Sequence, residues 1–356
     1  MKTETPADNA KDAPKGAWRL LALVLAAFVG LDLATLLLPH DPYVRYQQLE
    51  DTLHFRSVWA YERMTFDDTP IDIAFIGNSR LAAAISAPTV EDQLRKRLGR
   101  EVQVANLSLP QEGRNAHYAI VKQLLEHKPE VKLIVLSAIE QMPRVSHPAF
   151  SSIAEAGDLV TMPLLVNRDY PSDIAAIPYR QMSLFVQSLA PETFGNHAFD
   201  EEKYAGSDLD TTLSFRSLTN WIDRDTIYSA PELRGPARRH VASIAPPILP
   251  ASLTPFEFAV EYHYTQAIAQ LAREHGVQIA FAYLPVFENP EPMRQADLYA
   301  QFGPILSATC MANHAEFYSD YGHFNRFGAR QVSQEISDIL ARANITTTLQ
   351  SAQLSC

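Results

Sequence analysis

Two short segments of the chain hold the side-chain types that activate a serine. Residues 77–80 read Gly-Asn-Ser-Arg and residues 320–323 read Asp-Tyr-Gly-His. A serine hydroxyl is a weak nucleophile until a base removes its proton. Histidine is the usual base, and a carboxylate fixes its tautomer. Ser79, His323 and Asp320 therefore form a candidate catalytic set, since the three-residue spacing lets Asp320 orient the imidazole from the same loop.

Neither segment is specific when it is taken alone. A Gly-x-Ser sequence is commonly a turn or a helix N-cap, and Asp-x-x-His is a frequent combination. Their places along the chain are more informative. Ser79 follows the first predicted strand and Asp320 follows the last one, so both segments are expected at the same edge of one sheet.

Short apolar runs closed by turn residues predict the strands of that sheet. Amphipathic segments with proline or glycine at their ends predict helices between them. The predicted strands are residues 71–76, 102–107, 131–137, 277–284 and 316–318, and the predicted helices are residues 88–98, 114–127, 254–275 and 325–342. The alternation predicts an α/β fold with a five-stranded parallel doubly wound sheet.

The rest of the chain is divided around this domain, which we place at residues 70–345. Residues 143–250 lack strong periodicity and are rich in proline, so we predict an insertion of helices and loops that can cap a cleft. Residues 39–69 are interpreted as a connector with a helix at 43–64, and residues 346–356 as a flexible tail.

The amino-terminal segment predicts a membrane anchor. Residues 1–16 are polar and are expected to be a disordered tail, whereas residues 17–38 are almost entirely apolar and would span about 33 Å as a helix. Lys15 and Arg19 at its start favour a cytoplasmic amino terminus, with the main domain periplasmic or extracellular on a bacterial inner membrane. A cleaved signal peptide and a buried core helix are the alternatives.

Composition excludes several classes. The net charge of −11 and the absence of a basic stripe argue against nucleic acid as a partner. Two cysteines exclude a disulfide scaffold, and leave open whether Cys310 and Cys356 pair or stay free. No convergent set of metal ligands is found, and no cofactor is expected.

The motif blocks resemble the SGNH (GDSL-like) hydrolase superfamily, especially its membrane-anchored bacterial branch of AlgX/AlgJ-like and DltD-like envelope acyltransferases. The resemblance covers residues 70–142 and 254–340 and implies a flavodoxin-like SGNH fold. It also implies roles for single residues. Ser79 matches the nucleophile of the first block, Asp320 and His323 match the last block, and Asn106 with Gly113 matches the block whose groups hold the oxyanion.

The chain departs from the family pattern at three points. Asn78 stands where the family commonly has Asp, and it is expected to contact the oxyanion or the substrate. Gly113 lies two residues beyond the usual glycine, where Gln111 occupies the expected place. The third block, Gly-x-Asn-Asp, is absent, so one side-chain oxyanion donor is missing unless Asn115 or Gln141 replaces it.

The resemblance implies a membrane-anchored serine acyltransferase or esterase that acts on a cell-envelope or exported polysaccharide through an acyl-Ser79 intermediate. Its expected partners are an acyl donor, the polysaccharide acceptor and a membrane protein that exports acyl groups. Arg80 and Arg114 either contact a charged polymer or are exposed and solvated. Two other functions remain open: a non-catalytic assembly or polysaccharide-binding protein on a decayed scaffold, and a lipid esterase or thioesterase with a wide apolar cleft.

Overall fold

The computed structural model describes residues 15–139, 144–162, 167–216, 220–244, 246–289, 295–345 and 349–355. They form a mixed α/β fold in which helices cover both faces of a six-stranded sheet. The strands are β1 Ile73–Ile76, β2 Val104–Asn106, β3 Leu133–Ala138, β4 Ser214–Arg216, β5 Trp221–Asp223, β6 Gln278–Tyr283, β7 Ile305–Ser307 and β8 Ala352–Gln353.

Helices connect and flank these strands. They are α1 Lys15–Thr35, α2 Pro42–Gln47, α3 Arg56–Thr65, α4 Ser79–Ala84, α5 Ala87–Leu98, α6 Arg114–His127, α7 Phe150–Ile153, α8 Ala156–Val160, α9 Tyr170–Leu189, α10 Ala230–Ser243, α11 Thr254–Glu257, α12 Ala259–Glu274, α13 Ala296–Ala300 and α14 Arg326–Arg342. Short 3-10 helices occupy Pro191–Phe194, Ala251–Leu253, Thr309–Asn313 and Ala315–Phe317.

Strand β1 lies between β2 and β3 in the sheet. The strands run β2-β1-β3-β6-β7-β8 and every pair is parallel. Phe75 of β1 lies level with Asn106 on one side and with Val135 on the other. The chain thus reverses its direction of travel across the sheet between β1 and β3, and ligands of such sheets bind at the carboxyl ends of the strands there.

Alternate residues of each strand feed two apolar cores. In β1, Ala74 and Ile76 pack under α3, α6 and α12, whereas Ile73 and Phe75 pack under α5 and α14. Both strand faces are buried, and the strands therefore read as continuous apolar runs instead of alternating patterns. This explains why the first four strands could be found in the sequence.

The first four predicted strands are confirmed, but the fifth is wrong. Residues 316–318 do not join the sheet, since Ala315–Phe317 is a 3-10 helix and Tyr318 makes only an isolated antiparallel bridge with Phe324. The ring of Tyr318 is buried between Phe287 and Phe324. An aromatic side chain buried from a loop produces the same short apolar signal as a strand.

The sixth strand lies in the segment expected to be a flexible tail. Leu306 and Ser307 of β7 pair with Ala352 and Gln353 of β8, and the Leu354 N–H donates to the Ser307 carbonyl at 2.8 Å. That expectation is therefore wrong for these residues. The pairing of Cys310 with Cys356 lies outside the described residues.

The predicted helices at 88–98, 114–127 and 325–342 are confirmed as α5, α6 and α14. The predicted helices at 43–64 and 254–275 are each divided, into α2 with α3 and into α11 with α12. The described part of the insertion consists of helices and loops, as predicted, together with the unpredicted β4–β5 hairpin.

Residues Trp18–Thr35 of α1 form a helix that is long and apolar enough to cross a membrane, judged by length and composition. Helix α1 contacts α9, and the connector is tied to α9 because the Asp41 N–H donates to Ser188 Oγ at 2.9 Å.

Candidate active site

Ser79 is held at the turn from β1 into α4. Gly77 allows the turn to pass close to β3, because a Cβ on Gly77 would lie 2.6 Å from Ser137 Cβ. Asn78 then caps α4: its side-chain oxygen accepts from the N–H groups of Arg80 and Leu81 at 3.1 and 3.3 Å. Ser79 is thereby fixed as the first residue of the helix.

The cap also leaves one donor at the serine. Within the described part of the chain the Ser79 N–H has no acceptor, while the next two N–H groups are satisfied by Asn78. The Asn78 amide donates to Glu112 Oε1 at 3.3 Å. Asn78, expected as an oxyanion or substrate ligand, therefore acts on the backbone, and the donor beside the hydroxyl is the Ser79 N–H itself.

His323 and Asp320 share one tight loop before α14. Asp320 Oδ1 accepts from the N–H groups of Gly322 and His323 at 2.8 and 2.9 Å. The Ser319 N–H donates to the His323 carbonyl at 2.9 Å, which closes the loop. Asn325 caps α14 with Oδ1 and donates through Nδ2 to the Glu316 carbonyl at 2.8 Å. The loop is thus fixed from both ends.

The three predicted catalytic side chains are in hydrogen-bond contact. Ser79 Oγ lies 2.8 Å from His323 Nε2, and His323 Nδ1 lies 2.8 Å from Asp320 Oδ2. Burial raises the pKa of the Asp320 carboxyl, but hydrogen bonds from His323 and from two backbone N–H groups outweigh it and lower that pKa to about 2.

An ionised carboxylate only accepts hydrogen bonds. The proton between Asp320 and His323 therefore belongs to Nδ1, which leaves Nε2 of the neutral imidazole to accept the Ser79 proton. This is the arrangement in which a histidine acts as a general base toward a serine hydroxyl.

The two asparagines expected near the oxyanion are directed elsewhere. Asn106 donates to the carbonyl groups of Leu81 and Ile85 at 3.2 and 2.8 Å, which anchors the end of α4 to β2. Asn115 is fully buried and accepts from the His147 N–H at 3.0 Å. Neither residue lines the cavity at Ser79. Gln141, the other substitute, lies outside the described residues.

Gly113 is displaced from the site and Gln111 takes its place. Gly113 is buried against His147, where a Cβ would lie 2.3 Å from His147 Cβ, and its φ of 158° lies in a range that disfavours other residues. Gln111 lines the cavity beside Ser79 and has a φ of 68°. The expectation for Gly113 is therefore corrected: the two-residue offset moves the glycine into the packing behind the loop.

Both arginines that were expected to meet polymer or solvent are buried. Arg80 is 8% exposed, donates to the Leu284 carbonyl at 3.3 Å and contacts His240 Nε2 at 3.1 Å. A Cβ on Gly322 would lie 3.6 Å from Arg80 Nε, so the Arg80 side chain packs against the loop that holds Asp320. Arg114 is 1% exposed and pairs with Glu261. Both expectations are wrong.

The three side chains open onto a cavity of about 660 Å³. Its walls come from the connector, the loop after β2 and the hairpin of the insertion. The lining residues are Leu53, Phe55, Arg56, Ser79, Ala82, Pro110, Gln111, Thr211, Ser214, Phe215, Arg216, Trp221, Arg224, Asp320 and His323.

Most of this wall was missed by the sequence analysis. Phe215 and Trp221 lie on β4 and β5, and Trp221 is 60% exposed and contacts Phe55 edge-on. Arg56 and Arg224 come from segments without a recognisable motif. Only the prediction that the insertion covers a cleft anticipated this wall.

Within the described residues, no group of three or more His, Cys, Asp or Glu side chains is arranged to hold a metal ion. The chain matches no protein-family model and no curated protein.

Proposed function

We propose that this protein is a membrane-anchored serine acyltransferase or esterase of the SGNH type. The observation that carries the proposal is the continuous contact from Ser79 Oγ through His323 to Asp320 at the carboxyl end of β1. The strand order β2-β1-β3-β6-β7 is that of flavodoxin-like sheets, which supports the family assignment.

The proposed reaction has two halves. His323 Nε2 takes the Ser79 proton as Oγ attacks the carbonyl carbon of an ester, and the oxyanion is held by the Ser79 N–H and by the backbone N–H of Gln111. The leaving alcohol receives the proton from His323, which leaves an acyl-Ser79. A water or a sugar hydroxyl then gives its proton to His323 and attacks the acyl carbon, and His323 passes that proton to Ser79 Oγ as the bond between Oγ and the acyl carbon breaks.

The acceptor is proposed to be a polysaccharide of the cell envelope. Two observations support a location at a membrane surface. Helix α1 carries Lys15 and Arg19 near its amino end. On α9, the exposed side chains Tyr179, Met182, Val186 and Leu189 recur at three- and four-residue spacing on one face of a helix that α1 contacts. A single-pass anchor with the main domain outside the cytoplasm fits both.

A lipid esterase or thioesterase is the second candidate. The observation that favours it is the apolar wall formed by Leu53, Phe55, Ala82, Phe215 and Trp221, which suits an acyl chain better than a sugar. A binding protein without catalysis is favoured only by the lack of an asparagine side chain among the described residues that line the cavity.

Ester turnover and acyl transfer separate these candidates. The full chain, Ser79→Ala and His323→Gln are assayed with aryl esters of increasing acyl length, with and without an oligosaccharide acceptor, and products are identified by mass. We expect turnover that requires both residues and acylated oligosaccharide from short esters. Ser172→Ala, an exposed serine of α9 that bonds only its own helix, is the control and keeps activity.

Activity confined to long acyl chains with no sugar product would favour the lipid esterase. A folded wild-type protein that turns over no ester, or turnover that survives Ser79→Ala, would refute the proposed function.

A further inference from the structure

The cavity at Ser79 is positively charged although the chain is acidic. The net charge of the protein is −11, yet three arginines and a single carboxylate, Asp320, are among the residues that line the cavity. Arg216 is partly exposed, lies over the Phe55 ring and is close to Asp51. Arg56 and Arg224 are unusual for arginines, because they are almost fully buried and still line the cavity.

Arg56 has donors without acceptors. It is 5% exposed, and its Nη2 donates to the Asn106 carbonyl at 2.7 Å. Its Nε and Nη1 are buried and have no partner within the described residues. Because a guanidinium presents five donors in a rigid fork and accepts nothing, these two atoms need an acceptor that this part of the chain does not provide.

Arg224 faces the same cavity from the insertion. It is 6% exposed, donates through Nε to the Thr211 carbonyl at 3.2 Å and through Nη1 to Ser319 Oγ at 3.4 Å, and lies over the Phe215 ring. Among the described residues no carboxylate pairs with it or with Arg56 at ion-pair distance. Ser319 precedes Asp320, so Arg224 is anchored directly beside the catalytic loop.

Both groups keep their charge at neutral pH. Burial lowers the pKa of Arg56 to about 9, and the nearby charge of Arg224 adds to the effect, whereas the attraction of Asp210 opposes it. Burial lowers the pKa of Arg224 to about 10, against the attraction of Asp320. Two buried positive charges without an ion-pair partner destabilise a fold, and an anion between them would supply both a charge in direct contact and the missing acceptors.

We propose that Arg56 and Arg224 form a binding subsite for an anionic carboxylate or phosphate group carried by a molecule that reacts at Ser79. The inference rests on the proposed function, and it identifies the substrate class as acidic. The group belongs either to the acyl donor or to the acceptor sugar, while Phe55, Phe215 and Trp221 contact its apolar part.

Donor recognition is tested by kinetics on the full chain. The anionic substrate is 4-nitrophenyl hydrogen glutarate, whose acyl chain ends in a free carboxylate. It is compared with 4-nitrophenyl valerate, which has a neutral acyl chain of similar length. For Arg56→Gln and Arg224→Gln we expect the ratio of kcat/KM for the anionic ester to that for the neutral ester to fall about tenfold to a hundredfold. Arg330→Gln, which removes an exposed charge from α14, is the control and keeps the ratio.

Acceptor recognition is tested by binding, without any need for chemistry. Calorimetry on the Ser79→Ala protein compares methyl glucuronoside and glucose 6-phosphate with methyl glucoside. We expect the acidic sugars to bind more tightly, and Arg56→Gln or Arg224→Gln added to Ser79→Ala to remove that preference. Arg56→Lys keeps the charge but not the forked set of guanidinium donors, and it is expected to retain part of the preference for acidic sugars. This variant separates loss of the site from loss of the fold.

A change in the kinetic ratio alone assigns the anion to the donor, and a change in sugar binding alone assigns it to the acceptor. Equal ratios and equal affinities in every folded variant would overturn the proposal. Because the binding arm does not depend on a reactive serine, it can succeed where the proposed function fails.

Discussion

Buried arginines in two regions of this protein have opposite surroundings. Arg114 begins α6 and donates through Nε and Nη2 to Glu261 Oε1 at 2.8 and 2.7 Å, while Nη2 also donates to the Ser137 carbonyl. The same carboxylate oxygen accepts from Tyr299 at 2.9 Å. Burial lowers the pKa of Arg114, but Glu261 outweighs it and raises that pKa. At the cavity, burial and the charge of Arg224 lower the pKa of Arg56 to about 9, and the attraction of Asp210 opposes this only in part.

The protein uses buried arginines in two ways, one in an internal ion pair and one at the cavity. Arg114 and Glu261 tie α6 to α12 and to the end of β3, and the two charges are paired within the protein, although Glu261 Oε2 has no hydrogen-bond partner among the described residues. Arg56 lines the cavity at Ser79 without an ion-pair partner among these residues, and its environment is incomplete without a ligand. We therefore expect changes at Arg114 to affect stability and changes at the cavity to affect activity.

The largest effect is expected at the nucleophile. Ser79→Ala is expected to reduce kcat for ester cleavage about 10⁴-fold or more, because no other group can form the acyl intermediate. Its free energy of unfolding should remain within about 0.5 kcal/mol of the wild type, as expected for a small polar change at a partly exposed site. Steady-state kinetics measures kcat, and urea unfolding measures the free energy of unfolding. A stability loss large enough to explain the lost activity would contradict the expectation that changes at the cavity affect activity and not stability.

Breaking the ion pair of Arg114 with Glu261 should lower stability. Arg114→Met is expected to cost about 3–5 kcal/mol because it leaves the Glu261 carboxylate buried and unpaired. Urea unfolding measures the cost, and the double variant Arg114→Met/Glu261→Leu should recover most of it. A small cost for the single variant would mean that Glu261 is neutralised or hydrated, and would weaken the comparison.

The matching change at the cavity should be tolerated. Arg56→Met removes one hydrogen bond but also a buried charge that has no ion-pair partner among the described residues, so its unfolding free energy should change by no more than about 1 kcal/mol. A cost equal to that of Arg114→Met, measured in the same urea titration, would contradict the view that Arg56 is incomplete in the absence of ligand.

An effect of similarly small size concerns the pH dependence of stability. The pKa of Asp320 lies at about 2 in the folded protein, below its ordinary value of 3.8, so its contribution is present above pH 4 and is lost as the pH falls through about 2. The Asp320 side chain is 46% exposed, and screening limits the contribution to about 1 kcal/mol. Asp320→Asn should therefore lower the unfolding free energy at pH 5 and match the wild type near pH 2. A difference independent of pH would refute this assignment.

The parts of the molecule that could be predicted are those encoded locally. Strands buried on both faces read as apolar runs, which located β1, β2, β3 and β6, and the turns after the first and last predicted strands located Ser79, His323 and Asp320. Strands β7 and β8 have only three and two residues and do not belong to a longer apolar run of the kind that located the equally short β2, so they could not be distinguished from loops.

The cavity wall could not be predicted because it depends on distant segments. Arg56 lies in the connector at the start of α3, whereas Arg224 follows a hairpin of the insertion, and no spacing connects them in the sequence. Gly113 and Asn106 fit a motif, yet both are used in packing, because a motif gives residue types without giving the direction of their side chains. The contact between Arg80 and the Asp320 loop could not be predicted for the same reason, because it depends on the direction of the Arg80 side chain.

The most direct test of the account is labelling with a fluorophosphonate, which reacts with activated serines. The folded full chain is labelled, digested and mapped by mass spectrometry beside Ser79→Ala and His323→Gln. We expect one label, on Ser79, that is absent from Ser79→Ala and strongly reduced in His323→Gln, because only a hydroxyl hydrogen-bonded to a basic imidazole is activated. A folded wild-type protein that takes up no label, or a label that persists in Ser79→Ala, would contradict the central claim.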